Sequence, residues 1–292
     1  MRTIEKLSIK CEGKTKVIWN TNVLGAVILE AKKKITAFND PSKTQEFESK
    51  AILATNTTCR IFELLQKSGI PVAYRQQISD TEFLADDCEM IALEVIARRY
   101  AFGSYLNRKP EFRRDGIIPR RFHCLVIEFF LKTTEGELIL KDGTKAITGL
   151  STEEDDPFIN DHNENIWELY HPKKPKSDKS SNLKRGICFD KILKDRSDVE
   201  KIEKITREVF LILESAFLQQ NMHYIDFKIE FGYNIGGDLV VSDVIDSDSG
   251  RLRDFDWKDF SKQSFRDGES LDEVERKYTF VSDLVNRFCL PK

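Results

Sequence analysis

The stretch His223–Gly232, HYIDFKIEFG, sets an acid, a base and an acid at alternate positions, Asp226, Lys228 and Glu230. Side chains alternate across a strand, so these three share one face while Ile225, Phe227, Ile229 and Phe231 share the other. Charges side by side in a buried strand are costly unless they pair or meet a ligand. The next apolar run, LVVSDVID, leads to Asp243, Asp246 and then Asp248. Clustered carboxylate oxygens are what a hard divalent cation such as Mg2+ takes, and a nearby lysine suits phosphate or carboxylate oxygens. Just beyond, SGRLRD and KQSFRD supply Arg251, Arg253, Lys262 and Arg266, and arginine forks match phosphate and carboxylate groups. Alternation alone favours a plainer reading, the outward polar side of a half-exposed sheet. The arginines that follow shift the weight toward a ligand site.

Two other stretches carry weaker signals. CEGKTKVIW puts Gly13, Lys14 and Lys16 in a turn, where glycine lets backbone approach phosphates and lysines neutralise them; the same pattern also describes an ordinary turn. It is not a Walker A loop, and no G-x-G-x-x-G occurs, so a dinucleotide fold has no support. ARRYAFGSYLNR groups Arg98, Arg99, Ser104 and Arg108 around Gly103, which suits a sugar phosphate or, equally, charge at a helix start. The histidines at 123, 162, 171 and 223 have no matching Ser or Cys partner pattern and receive no catalytic role.

The elements that must position these groups belong to a globular chain of 292 residues, 40% hydrophobic and 33% charged, long enough for one large domain or two lobes. A net charge of -3 gives no basic field for nucleic acid. No signal peptide and no membrane-length apolar segment is evident, so a cytosolic protein is expected. Six scattered cysteines without a C-x-x-C pair suggest neither zinc site nor disulfides, but reduced and mostly buried thiols.

KLSIKC, KVIWN and AVILEA read as a β-meander, followed by a helical pattern from Thr44 to Ser68 that can cover one face of that sheet and stops at Gly69 and Pro71. FHCLVIEFFLK reads as a strand buried on both faces. The polar segment near 133–186, ending in HPKKPKSDKSSNLKRG, reads as a mobile surface insertion. Val199 to Gln219 is an amphipathic helix, HYIDFKIEFG and LVVSDVID form a hairpin across GYNIGGD, and Ser270 to Glu273 opens the last helix with a capping-box pattern.

Taken in order, GKTK, ITAFND, EMIALEVIARR with GSYLNR, EFFLK, DDPFIN, IDFKIEFG, SDVIDSDSGRL and KQSFRD resemble the SAICAR synthetase (phosphoribosylaminoimidazole-succinocarboxamide synthase) family over nearly the whole chain. The wording is closest to the synthetase part of bifunctional forms, and only that part is expected in these residues. The resemblance implies a two-lobed α+β fold of antiparallel sheets and packed helices, with a nucleotide site like those of protein kinases and ATP-grasp enzymes: an ATP-binding lobe over 1–92 and a larger lobe over 93–292. It further implies a cytoplasmic ATP-dependent ligase of purine biosynthesis that joins L-aspartate to carboxyaminoimidazole ribotide (CAIR), with identical subunits assembling and neither nucleic acid nor membrane as partner.

By that resemblance Gly13, Lys14, Lys16, Glu89, Met90 and Lys132 bind ATP, and Glu230 and Asp243 hold Mg2+. Arg98, Ser104, Asp156, Arg251, Lys262 and Arg266 bind substrate, and Asp226 with Lys228 faces the reacting carboxylate. Four departures stand out: Lys33 where the family has an acid before its I-[ST]-A motif, Ser49 before Lys50 where Gly-Lys is common, Gly250 and Arg253 near Arg251 where an aromatic is common, and a longer insertion between Lys132 and Asp156. Two other functions remain open, a small-molecule kinase on the same scaffold and a non-catalytic nucleotide-binding relative.

A charge run is usually a solvated face. Replacing Lys173, Lys174 and Lys176 together by alanine is therefore expected to leave turnover nearly unchanged in steady-state assays; a large rise in any apparent substrate requirement would show that the run touches substrate.

Overall fold

The computed structural model describes residues 3–36 and 44–288; most of ITAFND and Cys289 lie outside the described residues. The chain forms two compact units, each discontinuous in sequence. The first comprises the chain up to Glu89, Leu211–Tyr224 and the chain from Gly232 onward; the second comprises Met90–Phe210 and Ile225–Phe231. The strand Met222–Tyr233 thus gives its ends to one unit and its middle to the other.

In the first unit the expected meander is the start of a five-stranded antiparallel sheet, ordered Lys6–Glu12, Lys16–Thr21, Ala26–Ala31, Glu82–Asp86 and Tyr74–Ser79. Ala26–Leu29, on the central strand, are buried. The helix Lys50–Lys67 turns Phe62 onto Tyr74, with ring centroids 5.8 Å apart, and Tyr74 in turn meets Phe83 of the sheet. That helix begins later than its periodicity suggests, because Thr44–Glu46 pairs as a short strand with Lys34–Thr36. The last helix, Leu271–Val285, is capped by the Ser270 hydroxyl, which accepts from the Glu273 N–H at 3.3 Å. Its Val274 and Tyr278 close over Ile35 and Phe47.

The second unit is built on antiparallel strands in the order Asn182–Cys188, Ile166–Tyr170, Phe158–Ile159, Arg121–Leu131, Leu93–Tyr100 and Ile225–Phe231. One face of the last two strands carries Leu93, Val95, Ala97, Ile225, Phe227, Ile229 and Phe231, all at most 1% exposed. The helix Ser197–Leu218 covers part of it, with Phe210 against Phe227 at 5.6 Å. Long apolar side chains on a helical period bury this way because a single stripe faces the sheet.

Two expectations need correction. The polar segment near 133–186 is not an unstructured loop: it contains strands Leu138–Ile139, Lys145–Ile147, Phe158–Ile159, Ile166–Tyr170 and Asn182–Cys188. Trp167 and Leu169 alternate inward there and are fully buried, a period-two signal inside a polar average. The cysteines are free but not mostly buried: of the five described, Cys59 is buried, Cys88 and Cys188 are half-buried, and Cys11 and Cys124 are exposed. Among the described residues no helix is long and apolar enough to cross a membrane.

The insertion owes its shape partly to two glycines in left-handed conformation, Gly136 at φ 76° and Gly143 at φ 81°. A Cβ at Gly136 would collide with the Leu150 carbonyl, whereas one at Gly143 would meet nothing within 4 Å. Gly143→Ala should therefore cost only the left-handed penalty, roughly 1 kcal/mol, and Gly136→Ala about 2–3 kcal/mol or more, because backbone must also move. Chemical denaturation of both variants checks the order, and equal losses would remove the steric argument.

Candidate active site

The polar face of the second unit's sheet explains the acid–base–acid pattern. Register sets Arg98 opposite both Asp226 and Val126, and Ile96 opposite both Lys228 and Glu128. Arg98, Asp226 and Glu128 therefore lie on one face of three adjacent strands, as direct or diagonal neighbours. The Arg98 guanidinium, 1% exposed, donates from Nε to Glu128 Oε2 at 2.6 Å and from Nη1 to Asp226 Oδ2 at 2.6 Å. Arg108 donates from Nη2 to the other Glu128 oxygen at 2.6 Å, and from Nη1 to the Pro172 carbonyl. Burial would raise the Glu128 pKa, but the two arginines outweigh it and hold the carboxyl below its ordinary range.

Farther along the same face acids and bases alternate. Lys228 Nζ donates to Glu94 at 2.6 Å and to Glu230 at 2.8 Å, and Lys132 pairs with the second Glu230 oxygen. Glu230 is 3% exposed, while the Lys132 side chain keeps 40% of its surface. Burial alone would push Lys228 down; Glu94 and Glu230 overcome it and raise the pKa, so Lys228 is a fixed cation at neutral pH.

Asp156 sits beside this row in left-handed backbone, φ 54°, fastened by reciprocal bonds with Thr133: its Oδ1 accepts the Thr133 N–H at 3.0 Å, and its own N–H donates to Thr133 Oγ1 at 2.9 Å. Burial, then the Glu94 charge, pushes its carboxyl up to about 7. Left-handed strain in a non-glycine residue gathers at functional positions. Ser104 starts the short helix Ser104–Arg108, and its Oγ lies 3.5 Å from Arg98 Nη2.

The first unit holds a second buried network. Lys50, 2% exposed on its helix, lies 3.5 Å from Asp248 and 3.7 Å from Asp246, with Nζ 5.1 Å above the Tyr278 ring. Lys262 reaches Asp248 at 3.0 Å, and the Tyr278 hydroxyl donates to the other Asp248 oxygen. Burial would raise Asp248, yet Lys50 and Lys262 outweigh it and, with Tyr278, hold it well below the carboxylate range. Lys16 pairs with Asp243, which is left-handed at φ 67°. Gly13 closes its turn by donating N–H to the Lys16 carbonyl at 2.9 Å, and Lys32 Nζ holds the Gly13 carbonyl at 2.8 Å. A cavity of about 30 Å³ beside Lys16 is lined also by Lys50, Thr55 and Asp246; the buried Thr55 hydroxyl has no hydrogen-bond partner.

Sequence-derived residues thus fall into distinct groups. Arg98 with Asp226 and Ser104, and Lys228 with Glu230 and Lys132, are brought together in the second unit, Lys16 with Asp243 in the first. Lys262 is partnered by Asp248, whose place in a buried hub the sequence did not single out. Lys14 is exposed in its turn; Met90 is 45% exposed and Glu89 half-buried on the strand Glu89–Met90. Arg251, on the strand Gly250–Asp254, and Arg266, on the short helix Gln263–Arg266, are both half-buried, and the Arg266 charge acts on Tyr278. Arg253 instead serves a turn, donating to the Trp257 carbonyl at 2.6 Å and meeting Asp259 at 3.4 Å. Glu94, Glu128 and Lys50 were missed as functional candidates. EVIARR and LVIEFF each carry an acid in phase with Arg98 or Val126, which could have indicated Glu94 and Glu128, but only strand register reveals the partners.

Comparison with known proteins identifies the family. The family model described as SAICAR synthetase matches residues 9–283. The Caenorhabditis elegans "Probable multifunctional protein ADE2" is 32% identical over 97% of this chain and 59% of its own length, so the chain spans about three fifths of that relative. The Chloroflexus aurantiacus "Phosphoribosylaminoimidazole-succinocarboxamide synthase" is 30% identical over 95% of each chain. A solved structure described as "SAICAR synthetase (Type-2) in complex with ADP" shares the fold with a TM-score of 0.69, at 23% identity over 97% of this chain and 99% of that one. With a family model covering nearly all of its length, and with fold relatives that match it from end to end, the chain belongs to the SAICAR synthetase family.

Proposed function

We propose that this chain is an ATP-dependent carbon–nitrogen ligase joining L-aspartate to the carboxylate of CAIR, with SAICAR, ADP and phosphate as products. The observation that carries the reading is the row Glu94, Lys228, Glu230 and Lys132, alternating anions and cations along the polar side of the sheet. A carboxylate does not accept an amine directly, because the leaving group would be oxide. Transfer of the ATP γ-phosphoryl group to a CAIR carboxylate oxygen breaks the terminal phosphoanhydride and leaves ADP. The aspartate amine then attacks the acyl carbon of that mixed anhydride, loses a proton, and expels inorganic phosphate.

In this reading Lys228, fixed as a cation, faces the oxygens between which charge moves, and Asp226, bonded to Arg98, faces the reacting carboxylate beside it. Arg98 and Ser104 bind the ribotide, Asp156 approaches its imidazole ring, and Arg251, Lys262 and Arg266 take its phosphate. Gly13, Lys14, Lys16, Glu89, Met90 and Lys132 bind ATP.

Mg2+ is assigned to Glu230 and Asp243. The donor chemistry fits residue by residue: each is a carboxylate, the hard oxygen donor that Mg2+ takes, and each meets a lysine ammonium group. Such a set suits an ion that keeps one or two carboxylates and takes its remaining ligands from phosphate and water. When bound, Mg2+ would neutralise phosphate charge during transfer.

ADP release is expected to require Mg-ATP, CAIR and L-aspartate together, and to fall roughly a hundredfold or more in Lys228→Ala and in Glu230→Ala. Release without aspartate would favour a small-molecule kinase, and nucleotide binding without any release a non-catalytic relative.

Asp156 gives a pH prediction. An unfolded aspartate ionises near about 3.9, whereas folded Asp156 holds its proton up to about 7. Between those limits the folded chain binds more protons than the unfolded one, so this group's contribution to stability falls as pH rises from about 4 to about 7 and is flat above. Asp156→Asn removes the penalty. In ligand-free thermal unfolding the variant's advantage over wild type should be greater at pH 8 than at pH 5, by roughly a few degrees. An advantage independent of pH, or shrinking as pH rises, would contradict the raised pKa.

A further inference from the structure

Glu128 lies outside every group to which the proposed reaction assigns a role, yet it is the centre of the most deeply buried ionic network among the described residues of the second unit. It is 6% exposed, and each carboxylate oxygen accepts from a different arginine at 2.6 Å, Oε2 from Arg98 and Oε1 from Arg108. The bond to Arg98 follows from register. Val126 stands opposite Arg98, and Glu128, two residues on, is the diagonal neighbour on the same face, within reach of a long side chain.

The Arg98 fork is therefore held on two sides. Nε is bound to Glu128; Nη1 is bound to Asp226 at 2.6 Å and lies 3.4 Å from the Phe102 carbonyl. The remaining nitrogen, Nη2, has Ser104 Oγ at 3.5 Å, the outer limit of a hydrogen bond. Its N–H groups, with the Ser104 hydroxyl, retain capacity for a ligand.

Glu128 is itself immobilised. Its second partner, Arg108, is clamped by the Pro172 carbonyl and lies 5.0 Å from the ring centroids of Phe130 and Phe158. A planar guanidinium fixed at two edges cannot turn without breaking a charge-assisted bond, which gives such pairs directional as well as energetic value. Arg98 and Arg108 against Glu128 and Asp226 also sum to zero charge, so the buried group is balanced only while Glu128 is ionised.

We propose that Glu128 is a positioning residue for the ribotide: it holds Arg98 so that Nη2 and Ser104 face that substrate, while Arg108 braces Glu128 from behind. The proposal rests on the reading of Arg98 and Ser104 as ribotide-binding. Glu128→Gln keeps the shape, removes the charge, and turns one acceptor oxygen into a donor aimed at an arginine.

The test is steady-state kinetics on the full chain, varying CAIR, ATP and L-aspartate one at a time, with thermal unfolding of each variant. Glu128→Gln is expected to raise the apparent KM for CAIR about tenfold or more, with the KM for ATP changed less than about threefold. Glu128→Asp, which restores the charge on a shorter arm, is expected to recover part of the loss. A folded Glu128→Gln whose CAIR requirement is unchanged, or whose losses are equal for all three substrates, overturns the positioning role and leaves the proposed reaction standing. Wild-type turnover that needs no CAIR removes the reaction and this role together. Should Glu128→Gln fail to fold, Arg108→Lys decides: it keeps the charge but loses the fork, and a CAIR KM raised threefold or more supports the brace, while an unchanged KM removes it.

Discussion

The polar face of the Met222–Tyr233 strand can exist only if every charge buried there is matched by an opposite charge on the sheet or beside it. An isolated carboxylate taken from water costs several kcal/mol even after relaxation. Asp226 is answered by Arg98, Glu128 by Arg98 and Arg108, and Glu230 by Lys132 and Lys228. This requirement acts with the apolar face to fix register. A slip of one residue would carry Asp226, Lys228 and Glu230 onto the side of Leu93, Val95 and Ala97, losing ion pairs and apolar burial at once.

The first unit meets the same requirement without strand pairing. Asp248 follows the strand Leu239–Ser242 and receives cations from a helix and a loop, Lys50 and Lys262, with the Tyr278 hydroxyl as a third donor. These contacts fix the turn from Asp246 to Gly250, where the Asp248 N–H donates to Asp246 Oδ1 at 2.9 Å. Gly250 then passes so close to Tyr224 that a Cβ would stand 2.5 Å from its hydroxyl, so this turn admits no side chain without displacing the ring. Arg251 leaves from that constrained point, and the buried hub thereby limits where its backbone can lie.

How much of this was legible in the sequence depended on the range of the signal. The meander, the last helix and the hairpin around GYNIGGD carry local periodicity and turn chemistry, and all appear. The alternating face of HYIDFKIEFG was legible as well; that its charges pair with Arg98, Glu94 and Lys132 was not, since those partners lie 98 to 134 residues away and depend on tertiary register. Averaged polarity obscured the strands between 133 and 186, where few apolar side chains, Trp167 and Leu169 among them, point inward between charged neighbours. Lys50 was hidden for a related reason: a lysine at the start of a helix reads as solvated, and nothing nearby in sequence announces acids roughly two hundred residues downstream.

The two cation types along the polar face divide the work by their chemistry. Where the face is deepest the cations are arginines, Arg98 and Arg108, each spending fixed guanidinium donors on carboxylates that cannot leave the sheet. Toward Glu230 the cations are lysines, and they are more exposed, with 32% of the Lys228 side chain and 40% of the Lys132 side chain still in contact with solvent. A flexible stem carrying a compact ammonium can exchange one oxygen partner for another with little geometric penalty, whereas a bidentate fork cannot. The arginine end therefore keeps a fixed geometry, with Nη2 as the one nitrogen of the Arg98 fork not spent on a carboxylate, and the lysine end is the part whose contacts can rearrange. Along one strand, from Asp226 to Glu230, the partner cation thus changes from guanidinium to ammonium.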